Sequence, residues 1–309
     1  MKTNELLHGN TLLMTLEQLR IFLAVAERQH VTRAAQMLNL TQSAVSAAVA
    51  ALEARHVVTL FDRIGRRIEL TEAGRAFVPE ARAILDRVET ASLMLQDLSE
   101  RTSGRVRIAA SQTVASYWLP GPLMGFHERF PDVEMTLSVA NTAQVVERLI
   151  EGAVDVGVVE GAVEAGEVEE IVVGTDDLVV VCAPDHPFTE GRALSPAEFG
   201  ETSWILREEG SGTRSEFEAW FGAFGGRFDD LKVMLELPSN EAVLAAVAAG
   251  KSASVVSAQA AAPNVALGRI VAIPLAGAKR SFSALTHSRR HRTKAVTALL
   301  GYLSNFGKA

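Results

Sequence analysis

A chain of 309 residues exceeds one minimal domain and, at roughly 100–200 residues per domain, suits two or three. With 48% hydrophobic and 22% charged residues it has a globular composition, which excludes wholesale disorder, and no uninterrupted apolar run reaches the roughly 20 residues of a membrane span. Cys182 is the only cysteine, which excludes an intrachain disulfide and a cysteine-rich metal site and suits a reducing cytoplasm.

Charge is unevenly spread. The first 103 residues hold 12 Lys+Arg and 12 Asp+Glu, so the whole net charge of −7 falls on the remainder, and any nucleic-acid role belongs to the N-terminal part. Residues 1–14 mix Glu5, His8 and Asn10 with leucines. Without a continuous apolar region or a small-residue cleavage site they do not read as an export signal, and the expectation is a disordered extension.

Thr15 suits an N-cap, and Leu16, Leu19, Phe22, Leu23 and Ala26 follow at helical spacing, predicting a first amphipathic helix. Thr32 is expected to cap a short second helix through Ala34, Ala35 and Leu38. A third begins at Thr41, with Val45, Val49 and Leu52 toward the core. On that third helix Gln42, Ser43 and Ser46 share the opposite face. Such residues at the start of a helix in the major groove can bond base edges while the helix-end amides meet phosphate; taken alone, they equally suit a solvated face. Leu60-Phe61 closes the core. The run from Arg63 through Gly65, Arg66 and Arg67 to Leu70 then reads as two short strands around a glycine turn, a wing with arginines at its tip.

In order and spacing, Leu16-Glu17-Gln18-Leu19-Arg20-Ile21-Phe22, Thr32-Arg33-Ala34-Ala35, Thr41-Gln42-Ser43-Ala44-Val45-Ser46, Leu60-Phe61-Asp62-Arg63 and Leu70-Thr71-Glu72-Ala73-Gly74 resemble the LysR-type transcriptional regulators. The resemblance implies a winged helix-turn-helix over 15–74. It also implies DNA contacts from Thr32, Arg33, Thr41, Gln42, Ser43, Ser46, Arg63, Arg66 and Arg67. This stretch departs from the family pattern in two places: His56-Val57 stands where Leu-Gly is usual, removing a helix-ending glycine, and Ala47 replaces a common Arg or Lys.

Residues 75–103 form a linker. Phe77, Ala81, Ile84, Val88, Ala91, Leu95 and Leu98 alternate spacings of four and three, the period of a coiled-coil seam. Dimerisation through Phe77, Ile84, Val88, Leu95 and Leu98 is the expectation, with packing on the chain's own C-terminal part as the alternative. Pro79 predicts a kink near 75–79. A symmetric dimer calls for a palindromic DNA site.

From 104 to 309 short β-rich runs alternate with helical ones. Arg105 to Ala110, Glu134 to Val139, Val154 to Val159 and Leu178 to Ala183 read as strands, and Ala143 to Glu151 and Asn240 to Ala249 as helices. This is an α/β pattern suited to a covered parallel sheet, whose ligands bind outside the carboxyl ends of the strands. There stand Ser111-Gln112-Thr113, Glu160-Gly161 and the loop Arg207-Glu208-Glu209-Gly210-Ser211-Gly212-Thr213-Arg214. Their hydroxyls, glycine-flanked amides and arginine charge suit a small anion.

This region is similar to the LysR effector domain, itself like periplasmic binding proteins. Two α/β subdomains are implied, about 104–163 plus 274–309 and about 164–273. The expected fold class is therefore α plus α/β. Implied effector contacts are Ser111, Gln112, Thr113 and Tyr117 on one lip, Glu160 and Gly161 on the floor, and Gly210, Ser211, Gly212, Thr213, Arg214 and Asn240 on the other. Members with a similar Gly-Ser-Gly-Thr-Arg loop govern sulfur assimilation, sulfite response and carbon fixation, implying a sulfur oxyanion or phosphorylated effector. The family also implies a dimer of dimers and contact with RNA polymerase.

The chain lacks Gly-x-Ser-x-Gly, a P-loop, His-Glu-x-x-His and a Rossmann glycine run. His186, before Pro187, reads as a surface residue. His287 and His291 lie in a basic tail with Arg289, Arg290, Arg292 and Lys294 that reads as a solvated face. No enzyme activity, cofactor, metal or membrane partner is expected. The alternative to a DNA-binding regulator is a cytoplasmic small-molecule receptor acting through protein contacts, disfavoured because its N-terminal face carries small polar residues and arginines rather than apolar anchors.

Overall fold

The computed structural model describes residues 14–64, 67–97, 101–161, 163, 165–190 and 194–306. It divides into one unit ending at Leu95 and another starting at Gln96.

In the first unit Thr15 caps α1 (Leu16–Arg28) reciprocally. Its hydroxyl accepts from the Gln18 amide at 3.1 Å, and the Gln18 side chain accepts from the Thr15 N–H at 3.0 Å, closing two orphan donors. The second helix, α2 (Val31–Met37), starts at His30, not at Thr32. Gln29 ends α1 in the left-handed region and leaves only His30 extended, so the turn is too short for Thr32 to stand outside the helix. Thr41 caps α3 (Gln42–His56), accepting from the Ala44 amide at 3.2 Å.

One core joins α1, α2 and α3 through Leu19, Phe22, Val25, Ala34, Val45 and Leu52. The Glu53 carboxylate accepts from the amides of Leu60 and Phe61 at 2.7 and 3.1 Å, tying α3 to the wing. The wing strands β1 (Phe61–Ile64) and β2 (Arg67–Leu70) pair antiparallel with Ile64 opposite Arg67. The long helix α4 (Glu72–Asp97) follows, and passes through Pro79 without ending.

Its first half does not form an open seam. The Phe77 ring lies tilted against that of Phe22, 5.0 Å between centroids, Ala81 is fully buried, and Val78 and Leu85 also pack on the first unit's core. Phe77, on the stripe expected to dimerise, is thus half-buried against the unit's own core. Farther along, Ile84, Met94 and Leu95 stay exposed, Leu95 to 71%, and Val88 is half-buried. Leu98 lies outside the described residues.

The second unit runs through β3 (Gly104–Ser111), a π-turn (Val114–Trp118), α5 (Pro120–Arg129), β4 (Val133–Ala140), α6 (Thr142–Glu151), β5 (Val156–Glu160) and β6 (Val168–Cys182). It continues through α7 (Pro196–Phe199), β7 (Ser203–Arg207), α8 (Gly212–Ala223), β8 (Lys232–Leu237), α9 (Asn240–Ala249), β9 (Ser254–Ser257), α10 (Ala258–Ala266), β10 (Val271–His287) and α11 (Lys294–Asn305). Six strands pair in the order β4-β3-β5-β10-β6-β9, and β7 pairs with β8.

Two lobes result. One packs Ile108, Val158, Phe126, Phe282 and Leu299 between β3, β5, α5 and α11; the other packs Val180, Phe199, Trp204, Phe217 and Val255. Strands β3, β4 and β5 are parallel, but β10 runs antiparallel to both β5 and β6, and β6 runs antiparallel to β9. The sheet is thus mixed, because the chain passes between the lobes twice, outward along β6 and back along β10. The ladder between them breaks at Pro274, which has no amide to donate.

The basic tail is not simply solvated. Arg290 donates to the Leu149 and Ile150 carbonyls at 2.7 and 2.9 Å, closing the C-terminus of α6. Cys182 is fully buried, and burial pushes its thiol up to about 11.

Candidate functional site

The N-terminal unit presents Thr32, Arg33, Thr41, Gln42 and Ser43 to solvent, with Ser46 half-buried beside them. Because Val45, Val49 and Leu52 turn inward, the polar side of α3 is left as an unobstructed face. The hydroxyls of Thr41 and Ser43 lie 3.0 Å apart, so the cap and the first turn share one edge. Arg63 and Arg67 stand on the paired wing strands, one position apart in register; their side chains, and Arg66 entirely, lie outside the described residues.

In the second unit the carboxyl ends of β3 and β5, parallel neighbours in the larger sheet, meet the end of β7 from the smaller one. Ser111, Thr113, Glu160, Ser211, Thr213 and Asn240 are all buried there. The Ser111 hydroxyl bonds one Glu160 oxygen, and the Thr213 hydroxyl stands 3.5 Å from the other. Asn240 donates to Thr113 Oγ1 at 3.1 Å, while its own backbone amide donates to Gln112 Oε1 at 2.7 Å. These contacts link residues 127 and 128 positions apart in sequence and join the first lobe to the second.

The loop before α8 is built for close approach. Gly210 has φ +81° and Gly161 φ +83°, conformations that side chains disfavour. A Cβ on Gly212 would stand 2.4 Å from the Glu160 carbonyl oxygen. Ser211 heads α8 without making a side-chain cap bond, and its hydroxyl is buried with no partner. A buried unpaired hydroxyl is costly, and here it stands at the positive end of a 12-residue helix.

Arg214 does not join this cluster. Its guanidinium is held by Glu218 and Glu236 at 2.9 and 2.8 Å and lies 5.6 Å over the Phe228 ring. Burial alone would lower its pKa, but those bonds raise it. Arg207 takes the inward position, donating to Gln112 at 3.0 Å and Asn240 at 3.2 Å while paired with Glu208. Tyr117 donates to Glu241 at 2.9 Å and lines a separate groove of about 490 Å³ with Asn264 and Arg269. Burial and Glu241 push the Tyr117 hydroxyl up to about 12. Burial would raise Glu241, yet bonds from its own amide, Tyr117, Gln112 and Ser239 hold it below the usual range.

Sequence reading missed Arg280 and Asp176. They face each other across β10 and β6, and Arg280 also donates to Thr213 Oγ1 at 3.0 Å. Asp176 accepts from the Ser257 hydroxyl at 2.9 Å. The available signal was a charge inside each of two β-rich runs; only their register brings them together. His186 is also buried, not exposed: its Nδ1 accepts from the Phe188 amide at 3.1 Å, and Nε2 meets Thr202 Oγ1 at 2.9 Å. Among the described residues no cluster of His, Cys, Asp and Glu is placed to hold a metal, and no helix is long and apolar enough to cross a membrane.

Residues 16–75 match the bacterial regulatory helix-turn-helix protein, lysR family, and residues 99–307 match the LysR substrate binding domain. The chain is 33% identical over 291 residues to the HTH-type transcriptional regulator YeiE of Escherichia coli (strain K12), covering 94% of this chain and 97% of that protein. It is 36% identical over 244 residues to a RuBisCO operon transcriptional regulator of Allochromatium vinosum, covering 79% and 80%. The crystal structure of full-length CbnR complexed with its target DNA is similar in fold, with a TM-score of 0.67 and 24% identity over 95% of this chain and 99% of that one.

Proposed function

The chain belongs to the LysR family of transcriptional regulators, DNA-binding proteins with an effector-binding domain and not enzymes, and from that premise we propose that a small anionic metabolite held between its two C-terminal lobes switches its binding to promoter DNA. The effector class is a sulfur oxyanion or a phosphorylated compound. One observation carries this reading: the buried, unpartnered Ser211 hydroxyl at the N-terminus of α8, where free amides and the helix dipole favour negative charge. Ser111, Thr113 and Thr213 add hydroxyls from both lobes.

On DNA, Gln42, Ser43 and Ser46 of α3 read base edges in a palindromic site. Thr32, Arg33, Thr41 and the wing residues Arg63, Arg66 and Arg67 hold the phosphate backbone. Self-association uses the exposed Ile84 and Leu95 of α4. The open edges of β4 and β8 expose Val139 at 53% and Met234 at 56%, apolar surface suited to a further contact between copies. Contact with RNA polymerase completes the regulatory reading. Effector binding closes the lobes about β6 and β10 and changes the spacing of the DNA-binding units, by no more than its differential affinity for the two arrangements.

The test is calorimetric screening of sulfite, sulfate, phosphate and sugar phosphates, followed by DNA footprinting with the ligand that binds. Binding weakened by Ser211→Ala, together with a ligand-dependent footprint, supports the reading. Absence of binding by every anion, or a footprint unchanged at saturation, overturns it.

A further inference from the structure

Glu160 ends β5 at 1% exposure, and the groups around its carboxylate are donors. The Ser111 hydroxyl bonds Oε2, the Thr213 hydroxyl stands 3.5 Å from Oε1, and an Arg280 nitrogen lies 3.9 Å away. That arginine is already engaged: Nε and Nη2 lie 3.0 and 2.8 Å from one Asp176 oxygen, and Nη1 donates to Thr213 Oγ1 at 3.0 Å. Two buried carboxylates thus share one guanidinium. Arg207, the other buried cation of the cleft, is matched by Glu208 at 2.8 and 2.9 Å. Among the described residues the cleft offers a ligand the unpartnered Ser211 hydroxyl at the start of α8 and no surplus positive charge.

Glu160 also adjoins the anion-binding end of α8. A Cβ on Gly212 would stand 2.8 Å from Glu160 Cγ, and Ser211, with its unpartnered hydroxyl, is the next residue. A ligand oxygen bound there lies beside a carboxylate, which accepts hydrogen bonds and donates none. A bare oxyanion oxygen would set two buried acceptors against each other, at the cost of an unmade bond and like-charge repulsion. An oxygen that keeps its hydrogen donates to Glu160 and turns the same contact favourable.

Resting on the anion reading above and going beyond it, we propose that Glu160 is the specificity-determining residue of the cleft, selecting oxyanions that retain an O–H over those that have none. Hydrogen phosphate, and a phosphate monoester in its monoanionic form, fit this rule. Sulfate does not. A site built around a ligand's hydrogen bond can reject the analogue lacking it by about 10⁴-fold.

The experiment is titration calorimetry on the full chain with inorganic phosphate, inorganic sulfate and glycerol phosphate, at about one pH unit below and two above the monoester's second pKa of about 6. Phosphate should bind at least about a hundredfold tighter than sulfate under both conditions. Glycerol phosphate should bind at the lower pH and weaken at the higher, while inorganic phosphate, which keeps a hydrogen throughout, changes less. Glu160→Gln presents an amide donor to the ligand and should bring phosphate and sulfate within about threefold of each other. Sulfate binding the wild type as tightly as phosphate overturns the proposal, even if the variant does not fold. So does a ratio that Glu160→Gln leaves intact. In both cases the anion reading survives; if no oxyanion binds, the two fall together.

Discussion

Arg280 and Asp176 stand opposite each other on β10 and β6, joined at 2.8 Å through Nη2 and 3.0 Å through Nε, each only 3% exposed. These strands carry the chain between the lobes, so the pair lies on the path about which the lobes would turn. Removing one partner of a buried ion pair leaves a stranded charge and costs about 3–5 kcal/mol, whereas replacing both with apolar groups is often neutral. Arg280→Met alone should therefore lower stability by about that amount in urea unfolding. The double variant Arg280→Met/Asp176→Leu should recover only part of it, because buried Glu160 loses the guanidinium 3.9 Å away and the Ser257 hydroxyl loses its acceptor. Equal losses in the two would mean that the pair contributes packing and not charge compensation.

Readout and affinity should separate on the DNA-binding unit. Gln42→Ala/Ser46→Ala removes base-edge partners and should cost about 1–3 kcal/mol on the specific site, with little change on unrelated DNA. Arg66→Ala/Arg67→Ala should weaken both sites alike and flatten the slope of log affinity against log salt by about 1–2. Fluorescence anisotropy over a salt series measures both. A salt slope unchanged in the arginine variant would remove the wing from the backbone contacts.

Val57 ends α3 in the left-handed region, φ 53° and ψ 43°, donating its amide to the Glu53 carbonyl. Its side chain is 93% exposed, so packing does not offset the steric cost of a β-branched residue there, about 1–2 kcal/mol. Val57→Gly should stabilise the N-terminal unit by about 1 kcal/mol, seen as a rise in thermal midpoint. A fall would mean that the exposed valine makes a contact between copies.

Much of the fold was legible because it rests on local signals. Thr15 and Thr41 cap as their hydroxyls promised, and the apolar period of α3 placed Val45, Val49 and Leu52 inward. The seam on α4 was only half legible. A 3.5-residue stripe tells which residues share a face but not what packs on it, and Phe22 packs against part of Phe77. The cleft was legible at Ser111, Glu160, Ser211, Thr213 and Asn240, which follow strand ends or open helices. It was not legible at Arg280, whose meeting with Asp176 depends on antiparallel register, nor at Arg214, which two glutamates draw away. Arg290 looked solvated because the carbonyls it caps belong to residues 140 and 141 positions away.

His186 links the fold to pH. Its Nδ1 accepts from the Phe188 amide at 3.1 Å, so the neutral ring carries its hydrogen on Nε2, toward Thr202 Oγ1 at 2.9 Å. Protonation would put a hydrogen on Nδ1 against an amide donor. Burial lowers the His186 pKa, and Asp185 opposes this only in part. A base whose folded pKa lies below its unfolded value of about 6.5 binds more protons when unfolded. Its contribution is thus complete above about pH 6.5 and is lost as pH falls toward the folded pKa. His186→Asn, which cannot titrate, should therefore be less stable than wild type at pH 8 but lose less on acidification. The stability difference between the two, measured by urea unfolding from pH 8 to pH 5, should shrink steadily below about 6.5. A difference constant across that range would mean that the ring is held by packing with Phe188, 4.6 Å between centroids, and not by its protonation state.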